Sequence, residues 1–229
     1  MTKSICILLA FLLLANLAFA NPVEAKSESN NTQWIILGIL TLGIGLVIYN
    51  IFFQPRTALF TEEKIDITLQ TDGSVEVIGN YTFTRNKESL KHFQVIYPFP
   101  KFKEFGEVED LEISVNGRKM DYLPKELKFK EQVTLEMFFN GYGECNLKIR
   151  FVQKPTANHY KYILKTTRSW KKPLLSSIIN LHVAEGFVLN ECNYELNKMD
   201  AEKAGFSSFQ LHEKDFYPDE DFEFSWNEK

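Results

Sequence analysis

Strict two-residue alternation, broken by turn dipeptides, constrains this chain more than any other feature. Ile65, Ile67 and Leu69 alternate with Lys64, Asp66, Thr68 and Gln70. Successive strand side chains leave on opposite faces, so such a run has one face for a core and one for water. After Asp72-Gly73 the pattern resumes in Val75, Val77, Tyr81 and Phe83. Asp-Gly between two alternating runs predicts a hairpin, because glycine takes a positive φ at no steric cost.

The same device recurs. Leu111, Ile113 and Val115 precede Asn116-Gly117, with Met120 and Tyr122 beyond it. Val133, Leu135, Met137 and Phe139 precede Asn140-Gly141-Tyr142-Gly143, and Cys145, Leu147, Ile149 and Phe151 follow. Further runs are Tyr160, Tyr162, Leu164; Ile179, Leu181, Val183; Phe209, Leu211; and Phe222, Phe224, Trp226. Many short strands with turn signals predict an all-β, antiparallel, sandwich-like body over 57–229, with room for one core or two packed sub-sandwiches. One short helix is expected at Asn197–Ala204, with Asn197 as N-cap and Gly205 as the stop. Gly79, inside a regular strand, signals a bulge or a close approach. Tyr97-Pro98-Phe99-Pro100 closes a strand, since proline lacks the ladder donor, and a turn is preferred to a proline-recognition motif there.

The N-terminal part differs. Residues 1–20 read as a signal peptide: Lys3, an apolar run from Ile5 to Ala20, and the small-x-small ending Ala18-Phe19-Ala20. An uncleaved anchor is the alternative. Residues 21–33 are a polar spacer. Trp34–Phe53 carries no charged residue over 20 positions, which at about 1.5 Å each matches a hydrocarbon core of about 30 Å and predicts one transmembrane helix. Trp34 at one end, with Tyr49, Phe52 and Phe53 near the other, suits the two interfaces. A cleaved signal followed by a stop-transfer helix, or an uncleaved helix pair, leaves residue 54 onward in the cytoplasm. Arg56 and Lys64 against Lys26 agree with that side. The expected location is a bacterial inner membrane with a cytoplasmic β domain, the extracytoplasmic side being the alternative.

Charge and chemistry narrow the function. With 26 basic and 30 acidic residues the net charge is −4, which gives no general electrostatic reason to bind nucleic acid. His92, His159, His182 and His212 are widely spaced, with no metal-binding pair, and no phosphate loop, dinucleotide fingerprint or nucleophile elbow occurs. No cofactor is expected. Cys145 is in phase with Leu147, Ile149 and Phe151, so it is expected in the core, and no bridge to Cys192 is expected. Asp219, Asp221 and Glu223 alternate with Phe222, Phe224 and Trp226, which predicts wet acids opposite buried rings; a calcium site is the sharper alternative. Arg168, Trp170, Lys171 and Lys172 form a candidate anion or interface patch, against the simpler reading of an exposed loop anchored by one tryptophan.

Three stretches resemble segments of uncharacterised bacterial exported or membrane-anchored β-sandwich proteins: Tyr97–Pro100, Tyr162 through Thr166 to Leu174, and Asp215–Phe222. The resemblance implies an envelope-associated domain without assigned catalysis, so it carries over no functional residue, and it implies export, against the topology above. Two functions are then expected. The first is a membrane-tethered, non-catalytic module that binds or scaffolds a protein or envelope partner. The alternative is an enzyme whose site is assembled from dispersed carboxylates, Asp219, Asp221 and Glu223, and a histidine.

Overall fold

The computed structural model describes residues 58–85, 91–120, 131–141, 143–200 and 204–229. The chain divides into two units, Met1–Pro55 and Arg56–Lys229, and every described residue belongs to the second. The signal-like segment, the spacer and Trp34–Phe53 lie outside the described residues, as does Tyr122. Among the described residues no helix is long and apolar enough to cross a membrane.

The described body is mostly strand. In chain order these are β1 (Ala58–Leu69), β2 (Val75–Arg85), β3 (His92–Pro98), β4 (Glu109–Val115), β5 (Arg118–Lys119), β6 (Gln132–Phe138) and β7 (Glu144–Gln153). They continue with β8 (His159–Tyr162), β9 (Leu174–Ala184), β10 (Phe187–Cys192), β11 (Asn197–Met199), β12 (Phe206–Phe216) and β13 (Phe222–Glu228). An eight-stranded sheet runs in the order β11-β12-β9-β1-β2-β7-β4-β5; a second sheet is β10-β13-β8 and a third is β3-β6. The apolar faces of all three sheets meet in one continuous core. Phe83 of the large sheet packs against Phe93 of β3 at 5.3 Å, and Phe151 against Tyr97 at 6.4 Å.

The alternation determines which side chains are inside. Ile65, Ile67, Leu69, Val75 and Val77 are fully buried. So are the aromatics of the last strand: Phe222, Phe224 and Trp226 are 0, 2 and 3% exposed, while Asp219, Asp221 and Glu223 all retain solvent contact. Asp72-Gly73 turns β1 into β2 with Gly73 at φ 80°. Asn116 and Gly117 both take positive φ, 51° and 76°, between β4 and β5. That pair of values is what a two-residue hairpin matched to strand twist requires.

Three expectations are corrected. The large sheet is not wholly antiparallel: β1 pairs with β9 in parallel, Glu62 opposite Ser176 through Leu69 opposite Val183. The Asn140–Gly143 stretch does turn, with the Gly143 N–H donating to the Asn140 carbonyl. It does not join paired strands, however; β6 pairs with β3, and β7 with β2 and β4, so the turn carries the chain between sheets. Asn197–Met199 is strand rather than helix, pairing Asn197 with Gln210 and Met199 with Ser208, because the edge of β12 offers ladder bonds that outweigh the local cap signals. Helix occurs elsewhere: α1 (Phe102–Phe105) and a 3-10 segment at Lys165–Trp170.

Candidate functional site

The site begins with an irregularity in β1. The β1–β2 register shifts between Phe60 and Glu62. One extra residue lets Phe60 and the series Glu63, Ile65, Ile67 share the inner face, as a bulge re-aims the chain beyond it. Glu63 is therefore a carboxylate on the core side, only 4% exposed. Ser177, directly opposite on β9 and itself buried, donates its hydroxyl to Glu63 Oε1 at 2.7 Å. Burial pushes the Glu63 carboxyl up to about 7, the Ser177 hydrogen bond opposing that shift.

Three tyrosines from three strands complete the floor. The Tyr81 hydroxyl lies 2.6 Å from that of Tyr162 and 2.9 Å from that of Tyr97. Tyr97 and Tyr162 are 3.4 Å apart, so the three phenols form a closed hydrogen-bonded group in which any hydroxyl can be donor or acceptor. Burial is the leading cause that holds all three phenols protonated, Tyr97 being pushed up to about 12 and Tyr81 and Tyr162 well above the ordinary range. Glu63 and these tyrosines line a cavity of about 60 Å³. Its walls include Phe60, Phe83 and Trp170, and its rim includes the exposed residues Ile96, Thr166 and Ser169.

Gly79 shapes this floor. It keeps regular register with Ile65 and Ile149, so it is not a bulge. Its inward face is instead covered by the Tyr81 ring: a Cβ there would lie 2.0 Å from the Tyr81 hydroxyl oxygen and 2.4 Å from Cζ. Gly79→Ala is expected to displace Tyr81 and destabilise the domain by about 2 kcal/mol, an overpacking cost. Gly143→Ala is the useful comparison for backbone strain alone, since φ is 81° there but the nearest atom to an added Cβ is 3.6 Å away. Urea unfolding of both variants checks this, and a Gly79→Ala variant as stable as the parent would refute the packing argument.

The residues singled out from sequence are placed as follows. Trp170 is half-buried with its ring 5.3 Å from Phe83 and 6.0 Å from Phe60, so it anchors the 3-10 segment and walls the cavity. Arg168 lies over the Tyr217 ring at 4.7 Å, and Lys171 and Lys172 are exposed. Lys172 borders a separate surface groove with Pro173 and Leu175, on the outer side of the large sheet. The acids are dispersed by role. Asp221 Oδ1 accepts the backbone N–H groups of Leu164 and Lys165, each at 3.0 Å, capping the 3-10 segment. Glu223 pairs with Lys161 at 2.8 Å and with His159 at 3.5 Å on a solvated face. The Lys161 hydrogen bond holds the Glu223 carboxyl below its ordinary range.

The four histidines fall on four strands, and among the described residues no group of three or more His, Cys, Asp or Glu side chains is placed to hold a metal. Cys145 is buried and Cys192 half-buried, both as free thiols, and burial pushes both thiols up, away from thiolate chemistry. Sequence reasoning missed Glu63 altogether. Its signal was parity: it is in phase with Ile65, Ile67 and Leu69.

No protein-family model matches the chain. A yeast protein, the ubiquitin ligase-binding protein BUL1 of Saccharomyces cerevisiae, is 30% identical over 142 residues. That match covers 58% of this chain but only 14% of the yeast protein, so the chain spans about a seventh of the relative's length. Among solved structures, a Legionella pneumophila protein described as nutrient-binding superposes with a TM-score of 0.58 at 14% identity. The superposition covers 74% of this chain and 67% of that one, and it shows a shared fold.

Proposed function

We propose that this chain is a membrane-tethered, non-catalytic β-sandwich module, held by Trp34–Phe53, that binds or scaffolds an envelope or membrane-associated partner. The carrying observation is the 20-residue uncharged segment immediately preceding a β body with a continuous core. A bilayer-length apolar stretch in water would expose more surface than a soluble domain can hide. Binding is favoured over catalysis by the chemistry of the cavity. It combines one carboxyl near neutrality with phenols held protonated, and the one hydroxyl shown donating to that carboxyl, Ser177, is buried behind it and does not line the cavity. The yeast relative, named for binding a ubiquitin ligase, supports partner binding in the same sense. The side chains Arg168, Lys171 and Lys172 supply an exposed basic stretch for an anionic partner surface.

Membrane fractionation tests the tether. The full chain is expected to sediment with membranes and resist alkaline carbonate, and a variant lacking 34–53 to be released. Extraction of the full chain by carbonate, or retention of the deletion variant, would overturn the reading. Protease digestion of intact cells against spheroplasts then reports the side, for which the topology argument expects protection in both until the membrane is permeabilised.

A further inference from the structure

The cavity above Glu63 has a chemistry specific enough to name its ligand class. A carboxylate that is 4% exposed stands at its floor, fixed through one oxygen by Ser177. Aromatic side chains line it: Phe60 and Phe83 stack at 5.0 Å, with Trp170 against both. Aromatic rings attract a cation at their faces through the ring quadrupole, and more strongly once it is desolvated. The volume is about 60 Å³. One water needs roughly 15 Å³ of such space, so the cavity holds on the order of four non-hydrogen atoms. A sugar or nucleotide is far too large, a divalent ion wants more charged oxygens than one carboxylate among protonated phenols supplies, and an anion would face Glu63. The rim at Ile96, Thr166 and Ser169 is exposed, which opens the cavity to solvent between β3 and the 3-10 segment.

We propose that this pocket binds a primary ammonium group on a short unbranched carbon chain, with Glu63 as the counter-charge and Phe60, Tyr81 and Trp170 among the aromatic walls. A lysine side chain of a partner protein and a free small amine share that chemistry. The inference deepens the partner-binding reading and rests on it only for the lysine source; it does not depend on the tether. Burial raises the Glu63 carboxyl, so an ammonium ion binds the ionised form, and ligand and proton compete. The other titratable groups that interact with it are Tyr81, Tyr97 and Tyr162 and, more weakly, Tyr194, all held neutral.

The test uses the full chain in detergent, with methylammonium chloride and Nα-acetyl-lysine amide as probes and potassium chloride at equal ionic strength as reference. At pH 8 either probe is expected to raise Tm by about 3 °C over potassium chloride at saturating concentration. Below about pH 7 the affinity is expected to fall roughly tenfold per pH unit as Glu63 takes up its proton. Glu63→Gln keeps the side-chain shape and removes the charge, and is expected to abolish the response. A response to both probes assigns a lysine side chain, and one to methylammonium alone assigns a free amine; both support the proposal. An effect no larger than that of potassium chloride, an undiminished response in Glu63→Gln, or an affinity unchanged between pH 5 and 8 would overturn it. Failure here leaves the fractionation result standing, and the reverse also holds.

Discussion

Removing residues 222–229 is expected to abolish cooperative folding of the β body, whereas removing 227–229 should leave it folded. β13 is the middle strand of its sheet, pairing with β10 on one side and β8 on the other, so its loss leaves two isolated edges. It also removes three nearly fully buried aromatics, Phe222, Phe224 and Trp226. Each is worth about 2 to 3 kcal/mol in apolar burial alone. The rings are linked, Phe224 lying 6.1 Å from Phe222, 5.6 Å from Trp226 and 6.0 Å from Tyr160, so the lost contacts extend into β8. Three such rings come to about 6 to 9 kcal/mol, and with the orphaned ladder bonds the loss is comparable to the whole stability of a typical domain, about 5 to 15 kcal/mol. The shorter truncation removes only exposed side chains and the end of the β10 pairing, at a cost of about 1 kcal/mol. Circular dichroism melts distinguish the two; similar midpoints for both truncations would sink the argument.

What was legible in the sequence follows from range. Asp72-Gly73 and Asn116-Gly117 could be read because a positive φ is a demand on two neighbouring residues. The buried aromatics of β13 could be read because strand parity needs no partner. Asn140–Gly143 was legible as a turn but not as a crossing between sheets, since which strand β6 pairs with is decided by β3, some 40 residues earlier. The helix signal at Asn197 was outweighed in the same way by an edge that only the folded β12 presents. Asp221 shows the limit for polar residues. It reads as one of three equivalent acids, and becomes a cap only because Leu164 and Lys165 arrive beside it from 57 and 56 residues away.

The candidate site was the least legible part because it breaks two local rules at once. The inner parity of β1 runs through odd positions, yet Phe60 is also inside, and only the register shift after it reconciles the two. Residue type then argues against Glu63 at an inner position, as a buried carboxylate is costly. The tyrosine group is assembled from β2, β3 and β8, with Tyr81 and Tyr162 separated by 81 residues. Parity alone places each ring inside, but their meeting at one point is a property of the three sheets together.

That misplaced-looking carboxylate has a measurable consequence for stability. The folded chain holds Glu63 at about 7, against an ordinary value of 4.5. Because the folded value is raised, the unfolded chain ionises first as pH increases. The protonated side chain costs nothing below about pH 4.5; between 4.5 and 7 stability is progressively lost, and above 7 the loss is constant. The interval corresponds to about 3 kcal/mol at pH 8. Asp72 and Glu223 work in the opposite direction, both held below their ordinary range, so their contributions are lost only as pH falls below about 4.5, outside this window. Glu63→Gln keeps an acceptor for the Ser177 hydroxyl and has no charge to bury. In urea unfolding without added amine, the variant is expected to match the parent within about 1 kcal/mol at pH 5 and to exceed it by about 3 kcal/mol at pH 8. Parallel stability curves for variant and parent from pH 5 to 8 would mean that Glu63 is hydrated or already paired at neutral pH. A stability gain of this size on removing a charge is what distinguishes a carboxylate retained for a ligand from one retained for the fold, since a residue kept for stability alone would be better replaced.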